Sequence, residues 1–149
     1  MSSILATLLS IAIQLTELQG APNFEEMTTD QIKFDMCVNI DRCPTLVSVH
    51  PPKTDRILIN TDIDIEHDIN AQGQIVHVLA MYLMEKAGAY SPDMPCWKVM
   101  GIEAQANVIQ RAYLDVKMQQ IQKAGLTPPL QAFPQVFNIC TPDDKGYPV

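Results

Sequence analysis

The sequence predicts an α+β fold, in which helices near both ends of the chain enclose a small β-sheet. Three observations indicate this class. The first twenty residues have the apolar periodicity of a helix, two runs rich in β-branched residues follow at 45–60, and helical periodicity returns between 71 and 124. With 149 residues, 47% of them hydrophobic and 18% charged, the chain is large enough to bury a core of its own.

The first segment predicts a largely buried helix, begun by Ser2 or Ser3 and ended near Gly20. Its apolar run has no preceding Lys or Arg, so we do not expect a cleaved signal peptide. The run is also too short and too interrupted to span a bilayer. Polar residues recur in it with a 4-3-4-3 spacing that leaves one narrow wet stripe on the helix, formed by Ser3, Thr7, Ser10, Gln14 and Glu17.

The middle of the chain predicts a β-hairpin. Residues 45–50 and 56–60 are two β-type runs, and the five residues between them, PPKTD, are rich in turn formers. We therefore predict a small antiparallel sheet built on a hairpin at about 45–60. The preceding segment, 22–30, is polar and is predicted to be mostly loop, with Thr28 or Thr29 capping a short turn that runs to Cys37.

An acidic connector follows the second β-type run. Carboxylates alternate with apolar residues there, and carboxylate oxygens are the ligands that Ca²⁺ prefers. The EF-hand pattern nevertheless lacks its glycine, so a solvated loop or edge strand is the prediction. The acidic residues are Asp62, Asp64, Glu66 and Asp68.

Two core helices complete the predicted domain, which spans 1–126. One runs from Ala71 to Ala87 and stops at Gly88, and the other runs from about Lys98 to Ala124. The predicted inner face of the second helix consists of Val99, Ile102, Ala106, Ile109, Tyr113, Val116 and Ile121. The remaining segment, 127–149, is rich in proline and is predicted to be an extended tail with a strand-like run at 135–140.

Charge and cysteine content limit the possible functions. The net charge of −7 comes with only ten basic residues and no basic cluster, so we expect no nucleic-acid partner. No CxxC pair is present, which argues against a structural zinc knuckle. Four cysteines allow three pairings in an oxidising compartment, or four free thiols elsewhere, and both states stay open. They are Cys37, Cys43, Cys96 and Cys140.

The order of elements and three short motifs resemble small zincin-type metallopeptidases, in particular compact bacterial and phage proteins of this length. In those proteins a strand like ILIN precedes a helix like xxLVHELVHYLQ, and a second helix reads like ExEAYxxQxxYL. The stretches here are ILIN at 57–60, QIVHVLAMYLM at 74–84 and EAQANVIQRAYL at 103–114, with Cys96 in the intervening loop. The resemblance covers roughly residues 4–114.

The resemblance implies a vestigial zinc site. Two histidines of HExxH and a glutamate on the next helix bind zinc in the family, while the glutamate of the motif is the general base. His77 matches the first ligand and Glu103 the third, but Val78 stands at the position of the base and Met81 at that of the second ligand. We therefore predict no catalytic residues, no metal and no cofactor, and we expect His77 to pair with Glu103.

Three functions follow as hypotheses. The first is a catalytically inactive structural or binding component of a larger assembly, such as a virion, contacted in part through the tail 127–149, which has little means of burying itself. The second is an atypical metal-dependent hydrolase rebuilt around His77 and Glu103 with His50 or His67 recruited. The third is a secreted binding or inhibitor domain stabilised by disulfides.

Overall fold

The computed structural model describes residues 3–37, 41 and 43–129. In this part of the chain four α-helices pack around one three-stranded sheet, which confirms the α+β class. The elements in chain order are α1 (Ser3–Thr16), β1 (Asn23–Met27), α2 (Thr29–Met36), β2 (Ser48–Val49), β3 (Arg56–Asn60), α3 (Ile69–Lys86) and α4 (Cys96–Lys123). Most of the predicted tail, including the run at 135–140, lies outside the described residues.

The sheet is mixed, so the prediction of an antiparallel sheet was wrong in part. Its strand order is β1-β3-β2. The predicted hairpin is present, but only Ser48 and Val49 form the antiparallel β2 strand, opposite Ile59 and Leu58. On its other side β3 pairs with β1 in parallel over five residues of each strand.

The strand β1 lies in a segment, 22–30, for which the sequence predicts mostly loop, and this prediction was wrong. Its sequence, NFEEM, contains two glutamates and no β-branched residue, so Phe24 is the one residue whose propensity favours a strand. The register pairs Asn23 with Arg56 and Met27 with Asn60, and the side chains of Glu25 and Arg56 form an ion pair. Pairing with β3, a central strand from much later in the chain, therefore decides the conformation.

Capping interactions set the first helix boundaries. Thr28 begins α2 as predicted, since its side chain accepts from the Gln31 backbone while the Gln31 side chain accepts from the Thr28 backbone. In contrast, α1 ends at Thr16, four residues before the predicted Gly20. Glu17 takes the left-handed conformation there, with φ of 60°, and its N–H donates to the Ile13 carbonyl.

The main core is formed between α1, the sheet, α3 and α4. The two long helices approach each other closely at Gly73 of α3, where an added Cβ would lie 2.9–3.1 Å from the side-chain carbons of Leu114. Buried side chains of this core include Leu5, Leu8, Ala12, Ile57, Ile59, Ile75, Val76, Leu79, Tyr82, Leu83, Tyr113 and Leu114.

The predicted inner face of α4 is buried only in its first two thirds. Val99, Ile102, Ala106 and Tyr113 are buried, whereas Val116 is 53% exposed. The lengths of the helices explain the difference. With 28 residues α4 is about 42 Å long, while the 18 residues of α3 extend about 27 Å, so the end of α4 projects beyond its neighbour.

Asn60 connects the end of β3 to its surroundings. Its side chain is fully buried, and its amide nitrogen donates to Thr29 Oγ1 and to the Leu46 carbonyl, both at 2.8 Å. Its amide oxygen accepts from the Asp62 N–H at 2.9 Å. A buried polar group is tolerated when its hydrogen bonds are satisfied, so Asn60 holds the start of the acidic connector against α2.

The described cysteines are all bonded. Cys37 and Cys43 form one disulfide, which closes a short loop after α2. Cys96, the first residue of α4, is also in a disulfide, so none of the described cysteines is free. Among the described helices, none combines the length and apolar character needed to cross a membrane.

Candidate functional site

The predicted site residues lie where α3 and α4 face each other. Asp68 begins α3 by accepting a hydrogen bond from the Ala71 N–H, and this helix carries His77 in its middle. Glu103 lies in the second turn of α4. The Nε2 atom of His77 is 2.8 Å from Oε2 of Glu103, and the two side chains are only 12% and 15% exposed. The expected pairing of His77 with Glu103 is therefore present.

The second ring nitrogen of His77 has no such partner. Because a carboxylate oxygen accepts, the hydrogen bond to Glu103 assigns the proton of the neutral ring to Nε2 and leaves Nδ1 as an acceptor. Nδ1 is buried, and no donor reaches it from the described residues. The ring is thus held through one nitrogen only, and the stability of its position depends on Glu103.

Val78 and Met81 make the neighbouring surface apolar. Val78 is partly buried and packs against the main core. Met81 is 9% exposed and belongs to a second, smaller apolar cluster, the other buried members of which are Ala80, Met84, Ile102 and Ala106. A valine offers no lone pair for proton transfer and a thioether is a soft, neutral ligand, so neither side chain supplies what a zinc peptidase needs at these positions.

The donor set does not fit a zinc ion. Catalytic zinc sites have three protein ligands, and the pair of His77 and Glu103 would supply only two. The two side chains instead stand at hydrogen-bonding distance, 2.8 Å. Within the described part of the chain, three or more His, Cys, Asp or Glu side chains nowhere converge in a way that could hold a metal.

Neither of the other two histidines is recruited to this site. His67 is 79% exposed and pairs with Asp64 in the acidic connector, at 2.8 Å. His50 lies beside Glu85, which is eight residues beyond His77 on α3 and thus about 12 Å further along the helix axis. A rebuilt site with either histidine is not formed by the described residues.

Three of the four acidic residues of the connector serve local structure. Asp62 accepts from the Thr29 N–H at 2.9 Å, Asp64 contacts His67, and Asp68 caps α3. Their carboxylates thus have separate partners and do not point to one centre. The connector is a loop with turns, in agreement with the predicted solvated loop.

A second polar cluster, around His50, was not anticipated from the sequence. The side chain of His50 is 6% exposed, and its Nε2 donates to the Thr54 carbonyl at 2.9 Å. The same nitrogen is 3.8 Å from Oε1 of Glu85, and the ring meets that of Tyr82 edge-on with centroids 5.2 Å apart. These contacts fasten the turn between β2 and β3 to the end of α3.

Tyr82 and Asp55 extend this cluster. Hydrogen bonds from Lys86 and from the Tyr82 hydroxyl hold the pKa of Asp55 below its ordinary value. Burial, reinforced by the bond to Asp55, raises the pKa of Tyr82 to about 12. Glu85 accepts from the Lys53 N–H, while its other oxygen is buried without a described partner. No short sequence motif predicts the cluster, because its members come from a turn and a helix that are 27 to 32 positions apart in the contacts they make.

Comparisons of the chain with protein-family models, curated proteins and solved structures give no match. The resemblance to zincin-type metallopeptidases therefore remains a prediction that rests on the motifs quoted above. The site itself is a closed hydrogen-bonded pair with apolar side chains beside it.

Proposed function

We propose that this protein is a catalytically inactive, zincin-like protein that serves as a structural or binding component of a larger assembly, such as a virion. The observation that carries the proposal is the direct bond between His77 and Glu103. The two side chains that match zinc ligands are bonded to each other, and the two positions that should supply a second ligand and a base hold Met81 and Val78.

Loss of both groups affects two separate steps of metal-dependent hydrolysis. Without a second histidine the metal would have one imidazole and one carboxylate from the protein, one ligand fewer than catalytic zinc sites have. Without a base near the metal-bound water, a contribution to the rate of about 10²–10⁴ is lost. These losses support the inactive alternative over the rebuilt hydrolase.

Exposed apolar side chains support a role in assembly. Single exposed apolar residues are ordinary, whereas apolar residues that lie together on the surface are typical of interaction sites. Phe34 on α2 is 76% exposed and stands close to the disulfide between Cys37 and Cys43, while Trp97 and Val108 on α4 are each 67% exposed. The virion is the narrower part of the proposal and rests on the resemblance to phage proteins.

A second candidate, a secreted binding or inhibitor domain, is favoured by the disulfides. Bonded cysteines are typical of extracellular proteins and rare in reducing compartments. A count of free thiols under denaturing, non-reducing conditions, in protein taken directly from its source, separates this candidate from a protein of a reducing compartment. The expected count is zero, and four free thiols would remove the candidate.

The metal content of the protein tests the absence of a metal site. Protein purified without chelator is expected to contain far less than one zinc per chain by mass spectrometry, and to cleave no protein substrate above the blank. The double variant Val78→Glu/Met81→His restores the HExxH pattern and is expected to gain one tightly bound zinc, because the added imidazole lies one helical turn from His77. His77→Ala in that background is the control and should lose the metal.

Two results would contradict the proposal. Stoichiometric zinc in the wild-type protein that disappears in His77→Ala would mean that the native residues do form a metal site. Failure of the double variant to bind zinc, while its helix content is unchanged, would instead argue against the resemblance.

Assembly can be tested at α2. A photo-crosslinking residue at position 34, introduced in the native source, is expected to give one discrete product of higher mass, and the same residue at position 123 on the exposed end of α4 serves as the control. No product at position 34, or the same set of products at both positions, would count against an interface at Phe34.

A further inference from the structure

The Nδ1 atom of His77 is a buried lone pair that no donor uses. Nε2 of the same ring donates to Glu103, so Nδ1 carries no proton in the neutral ring. Nδ1 is buried, and it has no hydrogen-bond partner among the described residues. A buried acceptor without a donor is unfavourable and rare in folded proteins. This nitrogen is therefore free to bind a group that accepts its lone pair.

The charge of Glu103 lacks a compensating cation in the described part of the chain. Its side chain is 15% exposed, and its ion-pair partner there is His77 alone. While the ring is neutral, the carboxylate is buried without a positive charge, which is unfavourable. A proton on Nδ1 would supply the charge, but it would leave a buried N–H without an acceptor. A metal cation on Nδ1 supplies the charge and also uses the lone pair.

Met81 is the side chain that follows His77 on the same face of α3. Residues four apart on a helix are neighbours, with Cβ atoms about 5–6 Å apart. Side chains lean toward the start of their helix, so that of Met81 extends over the turn that carries His77. Met81 is 9% exposed, and its long unbranched side chain can adjust through three rotatable bonds. The imidazole and the thioether can therefore bind one ion between them.

We propose that Nδ1 of His77 and Sδ of Met81 bind one Cu(I) ion. A thioether is a soft, neutral ligand that selects Cu(I), whereas imidazole suits both copper and zinc. The single positive charge of Cu(I) equals the single negative charge of Glu103. The described cysteines are in disulfides and offer no thiolate, so the thioether is the soft ligand available to this site in an oxidising compartment.

Glu103 is a positioning residue in this arrangement and does not bind the metal. A histidine that binds a metal through one nitrogen almost always donates its other N–H to a carboxylate, a carbonyl or water, which fixes the ring and raises its basicity. The bond of 2.8 Å from Nε2 to Glu103 supplies this orientation already. The site therefore differs from the zinc site of the resemblance, in which the position of Glu103 is that of a ligand.

The proposed Cu(I) site does not rest on the proposed function. An ion held by His77 and Met81 brings no general base, so the absence of peptidase activity is unaffected by it. Failure to bind Cu(I) would likewise leave the inactive assembly component in place. What the site adds is a binding activity for a soft monovalent metal ion.

Competition with bicinchoninate, a coloured chelator of Cu(I), tests the stoichiometry. The wild-type protein is titrated without oxygen, and ascorbate keeps the copper reduced because thiol reductants would open the disulfides. We expect the protein to take one Cu(I) per chain from the chelator and to keep it in an excess of Zn²⁺. No transfer to the wild-type protein, or displacement of the copper by Zn²⁺, would overturn the proposal.

Variants with unchanged helix content by circular dichroism assign the roles. His77→Leu should abolish the transfer. Glu103→Gln should weaken the affinity roughly 10–100-fold, as loss of such a partner of a ligand usually does, and Met81→Leu should weaken it at least as much. Met84→Leu is the matched control. Met84 is 6% exposed and belongs to the same apolar cluster, but it lies seven residues from His77, about 10 Å along the helix axis. Its replacement should leave the affinity unchanged. Full affinity in His77→Leu, or equal losses in the two methionine variants, would contradict the assignment.

Spectroscopy of the wild-type protein tests the donor atoms without any variant. X-ray absorption at the copper edge should show one nitrogen and one sulfur ligand from the protein. NMR of the imidazole nitrogens should show that Cu(I) shifts the Nδ1 resonance of His77 and that Nε2 keeps its proton. A copper spectrum without sulfur, or an Nδ1 resonance that Cu(I) does not move, would rule the site out.

Discussion

Replacing Glu103 by leucine removes the hydrogen-bond partner of His77, a side chain that is only 12% exposed. The other ring nitrogen is already buried without a described partner, so the variant leaves the whole imidazole unsatisfied. A buried polar group that loses its partner costs about 1–3 kcal/mol. We expect Glu103→Leu to lower the free energy of unfolding by about 2 kcal/mol.

Replacing both members of the pair should cost much less than replacing one. His77→Leu/Glu103→Leu leaves no polar group behind, and apolar replacement of a buried pair is often neutral or stabilising. We expect the double variant to lie within about 1 kcal/mol of the wild type. The coupling energy between the two positions is then the difference between the double variant and the sum of the single ones.

Urea unfolding followed by circular dichroism measures these quantities. With a slope of about 1–3 kcal/mol per molar urea, a loss of 2 kcal/mol moves the midpoint by roughly 1 M. Asp64→Ala is the control, because Asp64 and His67 stand at the same 2.8 Å but are 70% and 79% exposed. An exposed ion pair contributes about 0–1 kcal/mol to stability, so the urea midpoint of Asp64→Ala should be close to that of the wild type.

The reasoning is refuted by either of two results. If Glu103→Leu shifts the urea midpoint no more than Asp64→Ala does, the buried pair contributes no more to stability than the exposed one. If the loss of stability in the double variant equals the sum of the losses in the two single variants, His77 and Glu103 do not interact in solution. The candidate site would then contain no closed pair.

Three further predictions concern the core. Gly73→Ala should lower the melting temperature because its methyl group would overlap the adjoining leucine of α4, whereas Gly101→Ala, with open space around it, should raise stability by about 0.5–1 kcal/mol; shifts of the same sign would contradict this. Tyr82 and Tyr113 have pKa values raised to about 12, chiefly by burial, so their stabilising contribution is complete below about pH 10 and disappears as the pH rises to about 12. Urea midpoints across that range should fall, and less steeply in a variant with phenylalanine at both positions. Asn60→Ala should cost roughly 1–3 kcal/mol in the same assay, since it leaves buried groups unpaired, and a smaller loss would indicate that water replaces the amide.

Local patterns in the sequence were sufficient to predict the long helices and the central strand. The apolar periodicity of α3 and α4 is a property of each segment alone, and the sequence of β3 is typical of a buried strand because three apolar residues, Ile57, Leu58 and Ile59, follow one another. The resemblance to zincin-type metallopeptidases also implies that His77 and Glu103 lie together. The observed distance of 2.8 Å agrees with that expectation.

What could not be predicted depends on partners distant in the sequence. The polar β1 is a strand because it pairs with β3, more than thirty positions later. The exposure of Val116 follows from the unequal lengths of two helices, which no window of sequence contains. The sequence predicts His50 as the end of a β-type run and as a candidate recruited ligand, whereas its burial beside Tyr82 and Glu85 is a product of tertiary packing.

The position of β1 also bears on aggregation. It lies at the edge of the sheet, where unpaired backbone groups can act as a template for strands of other molecules. Glu26 places an exposed negative charge on this edge, whereas the charge of Glu25 is compensated by Arg56. A second copy that approached edge to edge would meet like charges. Growth of the sheet into a filament through this edge is thereby disfavoured.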